Sequence, residues 1–219
     1  MKRLDAQSIN RVNLAALLLT ILANIAWPLT HGHARIACTI LGVILMTFAS
    51  CTHLFTTRST RVAFNMVSLV LVGALVVEIV GVQTGFPFGD YAYSSDLGLR
   101  IAGVPALIPF AWLMMLYPTF VIAKSLARKA ISQALITGWL MATWDLYLDP
   151  QMVHESYWVW FDDSGSQTSH IPLTNFVGWF FCATLLALGI AYLDRATERD
   201  SNTGIPLLLV SWVWVGGFL

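Results

Sequence analysis

Six apolar runs, each close to twenty residues long, leave this chain few folds to choose from. They lie at about 12–29, 35–55, 62–82, 101–123, 130–148 and 172–193, and one helix crossing the hydrocarbon core of a bilayer needs ~20 apolar residues. A seventh run begins at Ile205 and reaches Leu219. That is short of the usual minimum of about 17 residues, so a tilted, partial or truncated last helix is expected. Only 11% of the 219 residues are charged, against roughly a quarter in a soluble domain. The expected fold is all-α: a polytopic helical membrane protein with six to seven transmembrane helices, with residues 1–219 as one integral membrane domain. The formal net charge of zero excludes a large nucleic-acid patch. The lead "MKRLDAQSINR" is basic and polar, and the run after it lacks a clear small-residue cleavage site, so no signal peptide is expected. Cys38, Cys51 and Cys182 have no paired spacing and read as small buried hydrophobes.

Lysine and arginine set the orientation. Lys2, Arg3, Arg11, Arg58, Arg61, Lys124, Arg128, Lys129, Arg195 and Arg199 flank one side of the alternating spans, and only Arg35 and Arg100 flank the other. Positive residues accumulate on the cytoplasmic side, so a cytoplasmic N-terminus is expected. The two longest loops, about 83–100 and 149–171, then share the far face.

This alternation collects scattered polar residues at one depth. Span three carries Glu78 near its far end, span five carries Asp145 and Asp149, and span six opens with Thr174 and Asn175. The loop "GFPFGDYAYSSDLG" adds Asp90, Tyr91, Tyr93 and Asp96. A carboxylate within a membrane helix costs about 2.5–3.5 kcal/mol on insertion scales, so it reads first as functional and inward-facing; an interhelical hydrogen bond that fixes packing is the alternative. Asp145 and Asp149 are spaced to share a helix face. Pro150 disfavours helical geometry at the residue before it, which predicts a helix end near Asp149 and a shallower position for it. Desolvation keeps a deep acid neutral while water keeps a shallow one charged, and such a pair supplies a general acid beside a general base.

Aromatic residues crowd the same level: Phe86, Phe88, Trp139, Trp144, Tyr147, Tyr157, Trp158, Trp160 and Trp179. Most read as an interfacial belt, and a few facing inward would offer π-faces to a cation. Pro105 and Pro109 in "GVPALIPFAW" are expected to free backbone carbonyls in span four, tolerated in a membrane where they line a cavity. Together these features predict a far-side pocket between spans three and six, with the active-site region at 78–179.

The segments "GFPFGDYAY", "GVPALIPFAWLMMLYP", "TWDLYLDPQMV" and "IPLTNFVGWF" resemble the membrane carotenoid biosynthesis family, the CruF-type carotenoid hydratases. The resemblance runs from Glu78 to Trp179, in order; spans one, two and seven add little. It implies a cofactor-independent hydro-lyase that adds water across the terminal double bond of an acyclic carotenoid, such as lycopene or a bacterioruberin precursor, leaving a tertiary alcohol. The implied partners are that polyene, water and the lipid bilayer, with no nucleic acid. Protonating a trisubstituted alkene requires a local acid, for which Asp145 is the first candidate and Glu78 its competitor. Asp149 or Asp90 would position water, Asn175 and Tyr91 would donate to the acids, and Trp144, Tyr147, Trp179 and Phe88 would line the substrate.

Three other readings compete. Aspartates four residues apart suit a magnesium-bound diphosphate in a membrane prenyltransferase, but Met141 stands where that motif expects asparagine, and this face is poor in basic residues. A retinal protein needs a lysine within a span, and the three lysines, Lys2, Lys124 and Lys129, all lie outside one. A non-enzymatic carotenoid-binding or proton-coupled membrane protein would use the same acids. Among the histidines, His31 and His33 flank a far-side turn, His53 is near the cytoplasmic end of span two, and His170 follows the polar stretch "DDSGSQTS", read as a mobile lid. His154-Glu155 matches no established metal spacing.

Overall fold

The computed structural model describes residues 6–195 and 204–216. Lys2, Arg3 and Arg199 of the charge pattern, and 217–219 of the seventh run, lie outside them. Helices α1 (Ala6–Ala26), α2 (His33–Thr57) and α3 (Thr60–Thr84) come first, followed by strands β1 (Tyr91–Tyr93), β2 (Arg100–Ile101) and β3 (Val104–Pro105). Then follow α4 (Ile108–Leu126), α5 (Ala130–His154), β4 (Trp158–Phe161), β5 (Gln167–Thr168), α6 (Leu173–Leu193) and α7 (Gly204–Gly216). The chain is an all-α membrane protein: α2, α3, α4 and α6 are each long and apolar enough to cross a bilayer. Helices α1 and α7 hold shorter apolar stretches, Leu14–Ala26 and Gly204–Val213.

Helix α4 is the axis. It packs on α2, α3, α5, α6 and α7, and Trp112, Met115, Leu116 and Phe120 are fully buried along it. Around it α2 adjoins α3, α3 adjoins α6, α6 packs extensively on α5, and α7 adjoins α1, which returns to α2. Pro118 lies inside α4 and has no N–H to give the carbonyl of Met114. Ser50 of α2 donates to that carbonyl at 3.1 Å, a replacement of the kind a helix needs where water is absent.

Four local expectations are corrected. Span four starts at Ile108 rather than near 101, because 100–105 turns back as the β2–β3 hairpin, with Ala102 at φ 49° and Gly103 at φ 93°. Pro105 therefore lies in a strand, and Pro109 sits in the first helical turn, where an N–H has no intrahelical partner anyway; neither frees a carbonyl within the span. Helix α5 runs through Pro150 to His154 instead of ending at Asp149. Cys182 is buried as expected, whereas Cys38 and Cys51 are half-buried.

The two long loops meet. Strand β1 pairs antiparallel with β4, aligning Tyr91 with Trp160 and Tyr93 with Trp158, and β5 extends the sheet from β4. The stretch read as a mobile lid is the turn between β4 and β5, closed by the Asp162 carboxylate accepting from the Ser164 N–H and hydroxyl and the Ser166 N–H. At the opposite end of the bundle Asp194 accepts from Arg58 at 2.5 and 2.8 Å and from Lys124 at 2.7 Å. Loops assigned to opposite faces by the charge pattern thus gather at opposite ends.

Candidate active site

The β1–β4 sheet lies over a cavity of about 500 Å³ whose lining includes Glu78, Asp145 and Asp149, a volume within the range of small-ligand pockets. These three acids come from α3 and α5, and each is at least 97% buried.

Glu78 accepts three hydrogen bonds. Tyr91 and Tyr93 donate their hydroxyls to Oε2 at 2.7 and 2.8 Å, and Trp112 donates Nε1–H to Oε1 at 2.9 Å. Alternation along β1 would aim neighbouring side chains apart, but Tyr91 and Tyr93 are two residues apart and point the same way. Gly81 makes room: a Cβ there would come within 2.6 Å of the Tyr91 hydroxyl. Burial, reinforced by the Glu78 charge, holds both phenols well above the ordinary tyrosine range, so they remain donors.

Asp149 is held in a similar way. Trp158 and Trp160 of β4 donate to its Oδ1 at 2.6 and 3.1 Å. The two protons of the Asn175 amide are divided between Oδ2 of Asp149 and Oδ2 of Asp145, each at 2.7 Å. Among the described residues Asp145 accepts this one side-chain hydrogen bond, at Oδ2, and its side chain lines the cavity. No basic side chain pairs with any of the three acids among the described residues.

Aromatic surfaces complete the wall. Trp112 and Trp179 stack at 4.2 Å with planes 2° apart, and Trp144 meets Trp179 edge-on at 6.1 Å. Phe88 is packed edge-on against Tyr91 and seated over Gly178, where a Cβ would lie 2.7 Å from its ring. Thr174 anchors that loop by donating to the Phe88 carbonyl at 3.0 Å.

Glu78, Asp145, Asp149, Asn175, Tyr91, Phe88, Trp144, Tyr147 and Trp179 therefore all line one cavity. Asp90 does not. It is exposed, beside Gly85 at the end of α3, and its carbonyl serves the sheet by accepting from Phe161 N–H. Asp149 lies one helical turn nearer the loop end of α5 but is as buried as Asp145 rather than open to water, because α5 continues past it and β4 folds two indoles onto it. The cavity also extends past α3–α6 to Thr20 and Asn24 of α1, Gly42 of α2 and Trp212 of α7. Trp112 escaped the sequence reading; its depth in span four, matching that of Glu78 in span three, was the available signal. Phe86 and Trp139 are 73% and 57% exposed and belong to the belt, whereas Trp158 and Trp160 belong to the site. Glu155, beside His154, pairs with Arg35.

A family described as "Carotenoid biosynthesis protein" matches residues 35–218. The chain belongs to this family. Within that match fall all three acids and each of their hydrogen-bond donors. The bisanhydrobacterioruberin hydratase of Haloarcula japonica is 28% identical over 187 residues, an alignment covering 81% of this chain and 62% of that protein. The chain thus spans less than two thirds of the length of this relative. No solved structure matches the chain.

Proposed function

We propose that this chain is a carotenoid hydratase that adds water to the terminal double bond of a long acyclic carotenoid, lycopene or a bacterioruberin-type precursor, in the cell membrane with its N-terminus cytoplasmic. The observation that carries the reading is the unequal treatment of the two α5 acids. Asp149 accepts three N–H donors, while Asp145, lining the same apolar cavity, accepts one among the described residues. Indole N–H groups donate and never accept, so the surroundings of Asp149 suit a carboxylate. The sparser surroundings of Asp145 suit a carboxylic acid.

The chemistry then balances without oxidation or reduction. Asp145 gives its proton to the less substituted alkene carbon, leaving a tertiary cation. The faces of Trp144 and Trp179 and the negative charge of Glu78 stabilise that cation. Water adds to it, Asp149 takes the proton released, and exchange through water returns a proton to Asp145. The product is a tertiary alcohol. Family membership and the named activity of the Haloarcula relative support this reading. A magnesium-bound diphosphate fits less well, since both oxygens of Asp149 already accept N–H donors and, among the described residues, no cationic side chain pairs with any of the three acids.

Expression in a lycopene-accumulating host tests the proposal. The expected product is heavier by one water and carries a tertiary hydroxyl. Unchanged polyenes, with lycopene and every other acyclic carotenoid supplied, would overturn it in favour of a non-enzymatic carotenoid-binding or proton-coupled protein.

A further inference from the structure

Among the described residues, the ring of helices around α4 is closed by packed neighbours except at one place. Helix α5 packs closely on α4 and α6 but not on α7 or α1, the helices next in order around the axis. The cavity reaches this break from both sides, through Leu148 and Gln151 of α5 and through Ile25 of α1, Leu29 of the α1–α2 turn and Val213 of α7. Ile25 is 46% and Leu29 76% exposed, so the lip is apolar and outward-facing. At the sheet end of the break α2 is tied to the segment that follows α5, by the Arg35–Glu155 ion pair and a hydrogen bond between the hydroxyls of Thr39 and Tyr157 at 3.1 Å.

We propose that this break is a lateral portal to the bilayer, through which a long apolar chain is threaded end-first so that its terminus reaches Asp145 while the remainder stays in lipid. The proposal deepens the hydratase reading and rests on it for the identity of the chain. A cavity of about 500 Å³ is sized for a drug-like ligand and takes one end of a long polyene, not its whole length. The acids lie at the α3–α5–α6 wall and the lip at α1–α5–α7, so a bound chain must pass between α5 and α1 throughout turnover. A short isoprenoid alkene fits entirely inside and does not occupy the lip once bound.

The test uses the full chain in detergent and in vesicles, with Leu148→Trp and, from the more exposed side, Ile25→Trp. Leu126→Trp, at an exposed apolar position elsewhere, is the control. Retention of lycopene by the purified protein, read from its visible absorption, reports the portal independently of any reaction. Retention is expected to fall about tenfold or more in at least one lip variant, the scale on which overpacking by an indole acts, and to stay near wild type in the control. Hydration of the short alkene should persist in the same variant while hydration of lycopene is lost. Undiminished lycopene retention in both folded lip variants overturns the portal, and so does equal loss in the control. Lip-dependent retention without hydration of any substrate keeps the portal and overturns the hydratase.

Discussion

Two acid clusters occupy opposite ends of this bundle, and they are built on different principles. Asp194 is buried against two cations, Arg58 and Lys124, and its charge is compensated where it stands. Glu78, Asp145 and Asp149 are buried equally well but are met only by neutral donors: phenols, indoles and one amide. Desolvated ions are ordinarily paired because the interior returns little for an isolated charge. On the proposed function, this difference separates anchoring from proton chemistry. The cation-free cluster faces the larger and more apolar of the two cavities, whereas Asp194 and Lys124 border a smaller one of about 300 Å³.

The contrast yields predictions of decreasing size. Asp145→Asn removes a proton donor while keeping its shape, so product formation should fall by about 10²–10⁴-fold, the usual contribution of general acid catalysis, with folded yield unchanged. Activity within tenfold of wild type in a lycopene-fed assay would move the acid role to Glu78. Asp194→Asn should do the reverse. It removes the carboxylate that Arg58 and Lys124 share, and breaking a buried ion pair costs about 3–5 kcal/mol, seen as a lowered Tm in detergent with turnover per folded molecule preserved. Lost turnover at unchanged Tm would break the comparison. Trp160→Phe deletes one of the donors to Asp149, worth about 1.5–3 kcal/mol if its partner is charged. Turnover should drop by about tenfold while the β1–β4 pairing, followed by hydrogen exchange, survives. The smallest effect belongs to Asp162, an exposed acid in the β4–β5 turn. The Ser164 hydroxyl and the Ser166 and Ser164 N–H groups hold its carboxyl below the ordinary aspartate range. Its folded value is depressed, so its contribution is complete above about pH 4–5, where the unfolded group is already ionised, and is lost as pH falls through the lowered value. Hydrogen exchange at 162–166 should show protection that is flat at neutral pH and declines only in acid.

Much of this organisation was legible in the chain. Span lengths and the asymmetry of Lys and Arg placed Glu78, Asp145, Asp149 and Asn175 at one depth before any coordinates, because hydrophobic length and loop charge are strong, local signals. Partners carried by loops were harder to read. Tyr93, Trp158 and Trp160 look the same in sequence whether they anchor at an interface or fold back onto an acid; the β1–β4 register decides, and pairing between segments some 65 residues apart leaves no local periodicity. Pro150 misled for a related reason. Its bias against a helical neighbour is a statistical tendency that packing of α5 on α6 outweighs. The same override buries Asp149, which the sequence had placed near water.

Each acid finds its own donors close by in the chain: Glu78 with Tyr91, Tyr93 and Trp112, and the α5 aspartates with Trp158, Trp160 and Asn175. The site is therefore two self-sufficient halves: α3, β1 and α4 carry Glu78 with its donors, and α5, β4 and α6 carry the aspartates with theirs. The pairing of β1 with β4 and the stack of Trp112 on Trp179 join them. The carboxyls thus meet across a seam at which each is already held by partners of its own half.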